Sequence, residues 1–501
     1  MSDFQLSLLL PQVFLLVFGL LALAVGLWSA SDGWLWHSLT PGLMAVAGLL
    51  LAMYGQVAII LWLLPRFRPL PVTQLSGALT IDAAGAAFGL LACLGTLIVV
   101  VMSMDHLSGD TRNQGEYYFL LLFACGAVTI IALAADLLIV YLGIEFLGIC
   151  SYALAGFSKS EDRTVEAALK YFLFGSTCSA AMLFGMSLLF GVTGTLSLEK
   201  IGERLAVGGL PEPVLWVALV LMFAGFGFKL AAVPFHFWAP DVYEGAPTPV
   251  TAFLSVVSKA AGLAVLLRFV WTSLPYGPNW LGLMIAASAI TMTLGNLAAI
   301  PQRNIKRMLA YSSIAQAGYL LIGYAALGAD LANPGTIAVP GILVYLLAYL
   351  LANLGLFACV VAVGRAASSD EIWAYEGMMR RSPVIAVSMV VFFLSLAGIP
   401  PTLGFAGKFY IFAAAIQSRS LALWCLAALG VANSVVSVYY YFNVTRTMFF
   451  NDPPEDEHLQ LHPASFWAIA TTAVASIVLL LLLNPVGRWA AANAWMSFTP
   501  R

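Results

Sequence analysis

The sequence predicts an all-α, polytopic membrane protein of about fourteen transmembrane helices. Of its 501 residues, 61% are hydrophobic and only 9% are charged, against roughly 25% charged residues in soluble domains. The apolar residues form repeated stretches of about 20 residues, the length at which a helix crosses the hydrocarbon core of a bilayer. Helices are predicted rather than isolated strands because lipid offers no partner to an unpaired backbone group.

The predicted spans are the fourteen apolar stretches between clusters of charged residues, proline and glycine. The first stretch lacks a basic N-terminal region and exceeds the apolar core of a signal peptide, so it is predicted to be a span. In chain order, the predicted spans are 8–28, 40–63, 78–104, 115–135, 137–157, 166–193, 213–232, 246–271, 280–300, 305–328, 336–364, 383–416, 421–449 and 464–486.

Composition argues against several classes of function. A net charge of −2 provides no basic face for nucleic acid. The six cysteines lie singly in apolar stretches, without a CxxC pair, so no zinc or iron–sulfur site is predicted. Sequences that open a soluble nucleotide-binding domain, GxGxxG or GKS/T, are missing as well. We therefore expect no metal or redox cofactor on this chain. The cysteines are Cys93, Cys125, Cys150, Cys178, Cys359 and Cys425.

The distribution of lysine and arginine predicts the orientation of the chain. Loops after odd-numbered spans hold ten of these residues and the opposite side holds seven, and the richer side is expected to face the cytoplasm. Both termini are therefore predicted on the periplasmic side of a bacterial inner membrane. The ten are Arg112, Lys159, Arg163, Arg303, Lys306, Arg307, Arg365, Arg380, Arg381 and Arg446; the seven are Arg66, Arg68, Lys200, Arg204, Arg419, Arg488 and Arg501.

Spans 7 and 12 are predicted to be broken helices. Pro234 and Pro240 follow soon after Lys229, the charged residue of span 7, and Pro400 and Pro401 lie in the middle of span 12. Proline removes a backbone donor and clashes with the preceding turn. Paired interruptions in the two halves of a transporter are typical of inverted repeats around an ion path. The predicted units are an N-terminal three-helix segment (1–110), two inverted five-helix repeats (111–275, helices 4–8; 276–450, helices 9–13), and a loop with the last helix (451–501).

Four ionisable residues lie well inside predicted spans: Glu145, Lys229, Lys259 and Lys408. Each charge near the bilayer centre costs about 2.5–3.5 kcal/mol, so four unpaired charges oppose insertion by roughly 10–14 kcal/mol. They are therefore expected to face the interior of the bundle, paired or hydrated.

The predicted function of these residues is a lateral proton relay. Burial of a lysine favours its neutral form and a nearby carboxylate favours its charged form, so a change in the separation of Glu145 and Lys229 would switch the affinity of Lys229 for a proton. The proton would then pass through water to Lys259 and on to Lys408. His236, beside the first break, is a candidate to bridge the middle of the path.

Structural interpretations compete with this one. A lysine near a helix end can extend to the membrane interface, Glu145 can be a purely structural partner, and His236 can be a packed or loop histidine. Asp82, Asp136, Asp241 and Glu244 are predicted to be helix caps or interfacial residues, and His37, His106, His458 and His462 to be loop residues. The positive charges at the turn before span 10 are explained by their role in fixing the orientation of the chain in the membrane; these residues are Arg303, Lys306 and Arg307. Tyr311, Ser312, Ser313 and Gln316, which follow them, give a weak signal for ordering water.

Three long motifs resemble a known family. They are FKLAAVPFHFWAPDVYEGAPTPVTAFLSVVSKAAGLA, NIKRMLAYSSIAQAGY and LAGIPPTLGFAGKF, and they are similar to those of the antiporter-like subunit N of bacterial respiratory complex I, the NADH–quinone oxidoreductase. The resemblance covers roughly residues 110 to 450. It implies fourteen helices with inverted repeats, broken helices 7 and 12, and a membrane-centre row of charges that conducts protons, in which Glu145, Lys229, Lys259 and Lys408 match the residues of helices 5, 7, 8 and 12.

The same resemblance implies the cofactors and partners of the parent complex. Subunit M typically has glutamate where this chain has Lys408, and subunit L adds a long lateral helix, so subunit N is favoured. NADH, FMN, iron–sulfur clusters and a quinone are then expected on other chains, with subunit M and small subunits such as K as neighbours and lipid around them. Chloroplast and cyanobacterial homologues share the motifs, so the electron donor stays open.

Two other functions compete with the redox-driven pump. A subunit of a multi-subunit cation/proton antiporter would share the lysine and glutamate positions, and sodium-dependent proton exchange would identify it. A structural membrane subunit that stabilises assembly would tolerate substitution of the charged residues.

Overall fold

The computed structural model describes residues 6–29, 40–62, 72–107, 113–272, 280–329, 337–453 and 458–481. The N-terminal part contains α1 (Leu10–Ser29), α2 (Thr40–Trp62), strands β1 (Val72–Gln74) and β2 (Leu79–Ile81), and α3 (Ala83–His106). Then follow α4 (Gln114–Leu133), α5 (Leu137–Ala155), α6 (Asp162–Thr193), α7 (Leu198–Val207), α8 (Glu212–Leu230), α9 (Trp238–Gly245) and α10 (Thr248–Thr272).

The second half of the chain is also helical. It contains α11 (Leu281–Ala299), α12 (Ile305–Ala329), α13 (Ala338–Ala367), α14 (Met378–Arg381), α15 (Pro383–Ala397), α16 (Leu403–Gln417), α17 (Leu421–Phe450) and α18 (Pro463–Leu481). Twelve of the described helices are long and apolar enough to cross a bilayer, and α12 and the pair of shorter apolar helices α15 and α16 add to them. The predicted fold class is confirmed, and this set is consistent with about fourteen crossings.

The ends of several predicted spans differ from the structure. Residues 79–81, predicted as the start of span 3, form β2, which pairs antiparallel with β1 in a two-stranded sheet, so the described chain is not wholly helical. Span 7 ends at Leu230 rather than 232, and the short helices α7 and α9 lie in segments predicted as loops. Residues 482–486 of span 14 lie outside the described residues. The division into inverted repeats stays a prediction.

Helix α10 lies at the centre of the bundle and is buried around its whole circumference. It packs against α3, α4, α8, α12 and α13, and α13 is almost as completely buried. A helix that is enclosed on every side by other helices has no face exposed to lipid. The polar residues that α10 carries therefore face other protein side chains rather than lipid.

The two ends of the bundle form distinct faces. The hairpin face carries β1, β2 and the C-terminal end of α4, joined by a bridge between Leu79 and Ala134. Leu8 packs there with Ile59 and Ile81, so the described chain begins at this face. The opposite face carries the end of α3 and the start of α18, where Ser465 donates a hydrogen bond to Asp105. It is called the basin face because a polar cavity opens there. Helix α18 therefore ends on the same face as α1 begins.

Candidate functional site

Glu145 lies near the middle of α5 and is half-buried between α5 and α6. The hydroxyl of Ser179, on α6, donates a hydrogen bond to its carboxylate. Ser179 gave no signal in the sequence, because only the packing of α6 on α5 brings it to Glu145.

Lys229 lies in the last turn of α8, and its amino group points into the protein interior. Its Nζ lies 6.0 Å from the ring centroid of Tyr152 and 5.6 Å from that of Phe228. Among the described residues, this Nζ has no hydrogen-bond partner and no carboxylate within 4.0 Å, so Glu145 and Lys229 are not in direct contact. No ion pair therefore holds Lys229 to Glu145 in this structure.

The break after Lys229 is stabilised by side chains from other elements. The indole Nε1 of Trp238 donates to the carbonyl of Phe228 at 3.0 Å, and Val233 N–H donates to Thr291 Oγ1 at 3.0 Å. Backbone groups released at a helix break inside a membrane need partners of this kind. The observed end of α8 and start of α9 are consistent with the predicted interruption of span 7.

Lys259 lies in the middle of α10 and is bound by Ser313 of α12. Its Nζ donates to the carbonyl of Ser313 at 2.7 Å and to the hydroxyl at 2.5 Å. The hydroxyl of Ser313 also accepts a hydrogen bond from Tyr349 at 2.7 Å. Lys259 thus belongs to a hydrogen-bonded network between α10, α12 and α13.

A polar row on α12 continues from Lys259 towards Lys408. It contains Ser312, Ser313, Gln316 and Tyr319, all buried. Tyr345 donates to the side-chain oxygen of Gln316, and the ring of Tyr319 lies beneath Lys408 with its centroid 4.1 Å from Nζ. The weak signal at Ser312, Ser313 and Gln316 therefore marked part of the polar row, whereas Tyr319 was missed and Tyr311 is only partly buried.

Lys408 lies on α16, after the second break. Its Nζ donates to the carbonyl of Ala397 at 3.1 Å and to Ser434 Oγ at 3.0 Å. Gly398, the C-cap of α15, has φ +83°, and a Cβ there would lie 2.7 Å from Cδ of Lys408. Both the backbone conformation and the close approach therefore require glycine. The interruption between α15 and α16 is consistent with the predicted break in span 12.

Burial distinguishes between interpretations of the three lysines. Lys229, Lys259 and Lys408 are 2%, 2% and 3% exposed. None of them extends to the protein surface, which removes the interpretation that they reach the membrane interface. Their participation in proton transfer remains a prediction.

His236 lies in the connection between α8 and α9 and is buried. Among the described residues, its Nδ1 has no hydrogen-bond partner, and no hydrogen bond or ion pair joins it to Glu145 or to the three lysines. No observed contact therefore supports the predicted role of His236 as a bridge in the proton path, and that role stays a prediction.

Two of the four residues predicted as helix caps or interfacial residues cap a helix, whereas Asp241 and Glu244 lie within α9. Asp82 accepts a hydrogen bond from Gly85 N–H at the start of α3, and Asp136 accepts one from Leu138 N–H at the start of α5. Asp82 also forms a buried ion pair with Arg268 of α10, at 3.0 Å. The sequence signal that could have identified Arg268 as a buried, paired residue was its charge inside predicted span 8.

The charged residues at the start of α12 are more than determinants of topology. Arg307 binds Asp241 at 2.8 Å and Glu244 at 2.9 Å, and Lys306 is buried against Asp370. His106, predicted in a loop, is the last residue of α3. Arg163, Lys306 and Arg365, predicted on one side, do line a common cavity at the basin face.

Comparisons with known proteins agree on the family. The family model described as NADH:quinone oxidoreductase/Mrp antiporter, TM, matches residues 134–437. NADH-quinone oxidoreductase subunit N of Heliobacterium modesticaldum is 43% identical over 403 residues, which cover 80% of this chain and 82% of that protein.

Solved structures show the same fold. A chain of respiratory complex I from Thermus thermophilus, with bound aureothin, superposes with a TM-score of 0.77 at 31% identity and covers 95% of this chain and 98% of that chain. A chain of the Mrp complex from Dietzia sp. gives a TM-score of 0.84 at 21% identity, covering 99% of this chain and 98% of that one, which shows a common fold alone. The chain therefore belongs to the NADH:quinone oxidoreductase/Mrp antiporter transmembrane family, among the N subunits of NADH-quinone oxidoreductase.

Proposed function

We propose that this chain is the proton-translocating membrane subunit N of an NADH–quinone oxidoreductase, and that it couples quinone reduction elsewhere in the complex to proton transport. The single observation that carries the proposal is the set of charged residues inside the membrane-spanning part of the bundle: the buried Lys229, Lys259 and Lys408, together with the half-buried Glu145. Such residues inside a membrane typically mark an ion or proton path. The 43% identity to a subunit N supports this parent complex over an antiporter, for which only the fold is similar.

The chemistry of the row suits stepwise proton transfer. Lysine can give up and regain a proton in a buried site, and a carboxylate at variable distance changes the balance between the two forms. Glu145 and Lys229 are not in direct contact, whereas Lys259 and Lys408 both contact the polar row on α12. About 5 kcal/mol swings a two-state site from 1:99 to 99:1. Making and breaking a buried ion pair supplies energy on this scale.

The proposal extends to the surroundings of the chain. Neighbouring membrane subunits, including subunit M and small subunits such as K, would deliver the trigger, and NADH, FMN, iron–sulfur clusters and the quinone would reside on, or be bound by, other chains. The excess of lysine and arginine beside the basin face supports a cytoplasmic location for that face and a periplasmic one for both termini, in a bacterial inner membrane.

The test uses the purified complex in proteoliposomes. Lys229→Ala and Glu145→Ala are expected to reduce NADH-driven proton uptake sharply, with the complex still assembled, because each removes one proton-exchanging group. Lys159→Ala, an exposed loop lysine, is the matched control and is expected to pump normally.

Two outcomes would count against the proposal. Full proton uptake by assembled Lys229→Ala and Glu145→Ala complexes would indicate a structural subunit. Sodium-dependent proton exchange by the chain without redox partners would indicate a cation/proton antiporter.

A further inference from the structure

A polar cavity of about 640 Å³ opens at the basin face, between the two halves of the chain. The α5–α6 connection and the start of α10 contribute to it from the first half, and the start of α12 and the end of α13 contribute from the second. Its charges are mixed in sign, so it suits water and protons better than an ion of one sign. Charged residues around it include Glu161, Arg163, Glu244, Lys306, Arg365 and Asp370.

Lys306 is the buried charged residue of this cavity. Its side chain is 5% exposed, and its Nζ donates to the carbonyl of Ala246 at 2.9 Å and lies 3.3 Å from a carboxylate oxygen of Asp370. Asp370 is about one-third exposed. The N–H of Ile305 donates to the carbonyl of Asp370 at 2.8 Å, which fixes the carboxylate beside Lys306. The ion pair therefore joins the water-accessible cavity to the protein interior.

The positive-inside rule, by which lysine and arginine set the orientation of a chain in the membrane, does not explain why Lys306 is buried. A lysine that only sets orientation needs to reach the aqueous phase, and Arg303, three residues earlier, is exposed as that function requires. A buried lysine instead loses its hydration, and a sequence accepts that cost where the group is paired and used.

Polar side chains continue from the cavity to Lys259. Thr248 lines the cavity at the start of α10, and eleven residues later, about 16 Å along the helix axis, comes Lys259. Between them Thr251 donates to the carbonyl of Tyr243 at 3.2 Å. The hydroxyl of Tyr243 lies 3.4 Å from Ser313 Oγ, which binds Lys259.

A second branch of the same network runs through α13. The hydroxyl of Tyr349 donates to Ser313 Oγ at 2.7 Å and lies 3.0 Å from the carbonyl of Ser255, and Asn353 donates to Ser255 Oγ at 2.6 Å. Among the described residues, the side-chain oxygen of Asn353 has no hydrogen-bond donor although it is fully buried. An acceptor in this position is suited to a water molecule that carries a proton along the network.

We infer that Lys306 is a proton-transfer residue of this subunit, which takes protons from the basin-face cavity and passes them to Lys259. The inference rests on the proposed function. In the transfer step an N–H bond of the Lys306 ammonium breaks, the proton moves through hydroxyl groups and water, and a new N–H bond forms on the neutral amine of Lys259. Lys306 then regains a proton from water in the cavity, beside the Asp370 carboxylate.

Lys306→Arg separates proton transfer from a structural function. Arginine keeps the positive charge for Asp370 and a donor for the Ala246 carbonyl, but it does not release a proton in proteins. In reconstituted complex, NADH-driven proton uptake is expected to fall to the level of Lys259→Ala. Lys159→Arg, an exposed lysine on the same face, is the matched control and is expected to pump like the parent chain.

Chemical rescue keeps the inference testable if arginine disturbs the fold. In Lys306→Ala complexes, ethylamine added on the side of the cavity is expected to restore proton uptake, whereas tetramethylammonium, which carries charge but no transferable proton, is not. Rescue by both cations, or normal pumping by Lys306→Arg beside an inactive Lys259→Ala, would overturn the inference and leave the proposed function intact. Normal pumping by Lys259→Ala would instead contradict the proposed function.

Discussion

Arg268→Met is expected to destabilise the subunit strongly, because it leaves the carboxylate of Asp82 buried without its partner. The side chains of Arg268 and Asp82 are 5% and 1% exposed. The guanidinium makes two hydrogen bonds of 3.0 Å to the carboxylate and a further one of 2.7 Å to the carbonyl of Ala132. Gly85 provides the space, since a Cβ there would lie 2.8 Å from the guanidinium.

The magnitude follows from the burial of the pair. Removing one partner of a buried ion pair costs about 3–5 kcal/mol, whereas an exposed pair contributes about 0–1 kcal/mol. Arg380 and Asp452 form such an exposed pair at 3.0 Å, which makes Arg380→Met a matched control. Asp82→Asn, added to Arg268→Met, removes the isolated charge and keeps an acceptor for the N-terminus of α3, so the double variant is expected to recover part of the loss.

The assay is heat-induced loss of the subunit from the detergent-solubilised complex. A change of 1 kcal/mol moves the midpoint by about 2–4 °C in domains of 150–250 residues and by less in larger chains. We therefore expect Arg268→Met to lower the midpoint by on the order of 5 °C and Arg380→Met to leave it unchanged. An unchanged midpoint for Arg268→Met would refute the reasoning. A double variant whose midpoint is no higher than that of Arg268→Met would refute it as well.

Two further predictions concern the second half of the chain. In Gly404→Ala the new methyl group would overlap the carbonyl oxygen of Ser395, so the α15–α16 break should not form and the subunit should be lost from membranes, as followed by immunoblot. Gly191→Ala, on an open helix surface, is the control and should accumulate normally. Gln316→Leu interrupts the polar row between Lys259 and Lys408 and should lower proton uptake while the complex still assembles; undiminished uptake would show that protons do not cross at Gln316.

The hydrophobic pattern of the sequence was sufficient to predict the long apolar helices and their order, but not the short helices α7 and α9. A span is defined by about 20 consecutive apolar residues, so its presence is a local property that can be read without knowledge of its neighbours. The positions of Glu145, Lys229, Lys259 and Lys408 inside spans were local in the same sense. Span ends were less certain, and the strand at 79–81 was missed because its three residues were assigned to the same apolar stretch as α3.

The partners of the charged residues were decided by the tertiary structure alone. Ser179 contacts Glu145 across two helices, Ser313 contacts Lys259 from 54 residues further along the chain, and Arg268 contacts Asp82 from 186 residues away. Such pairs depend on how helices cross and rotate, which no short stretch of sequence encodes. The sequence by itself determined that charged groups must be buried in a membrane bundle, and the packing of that bundle decided which hydroxyl, carbonyl or carboxylate each of them meets.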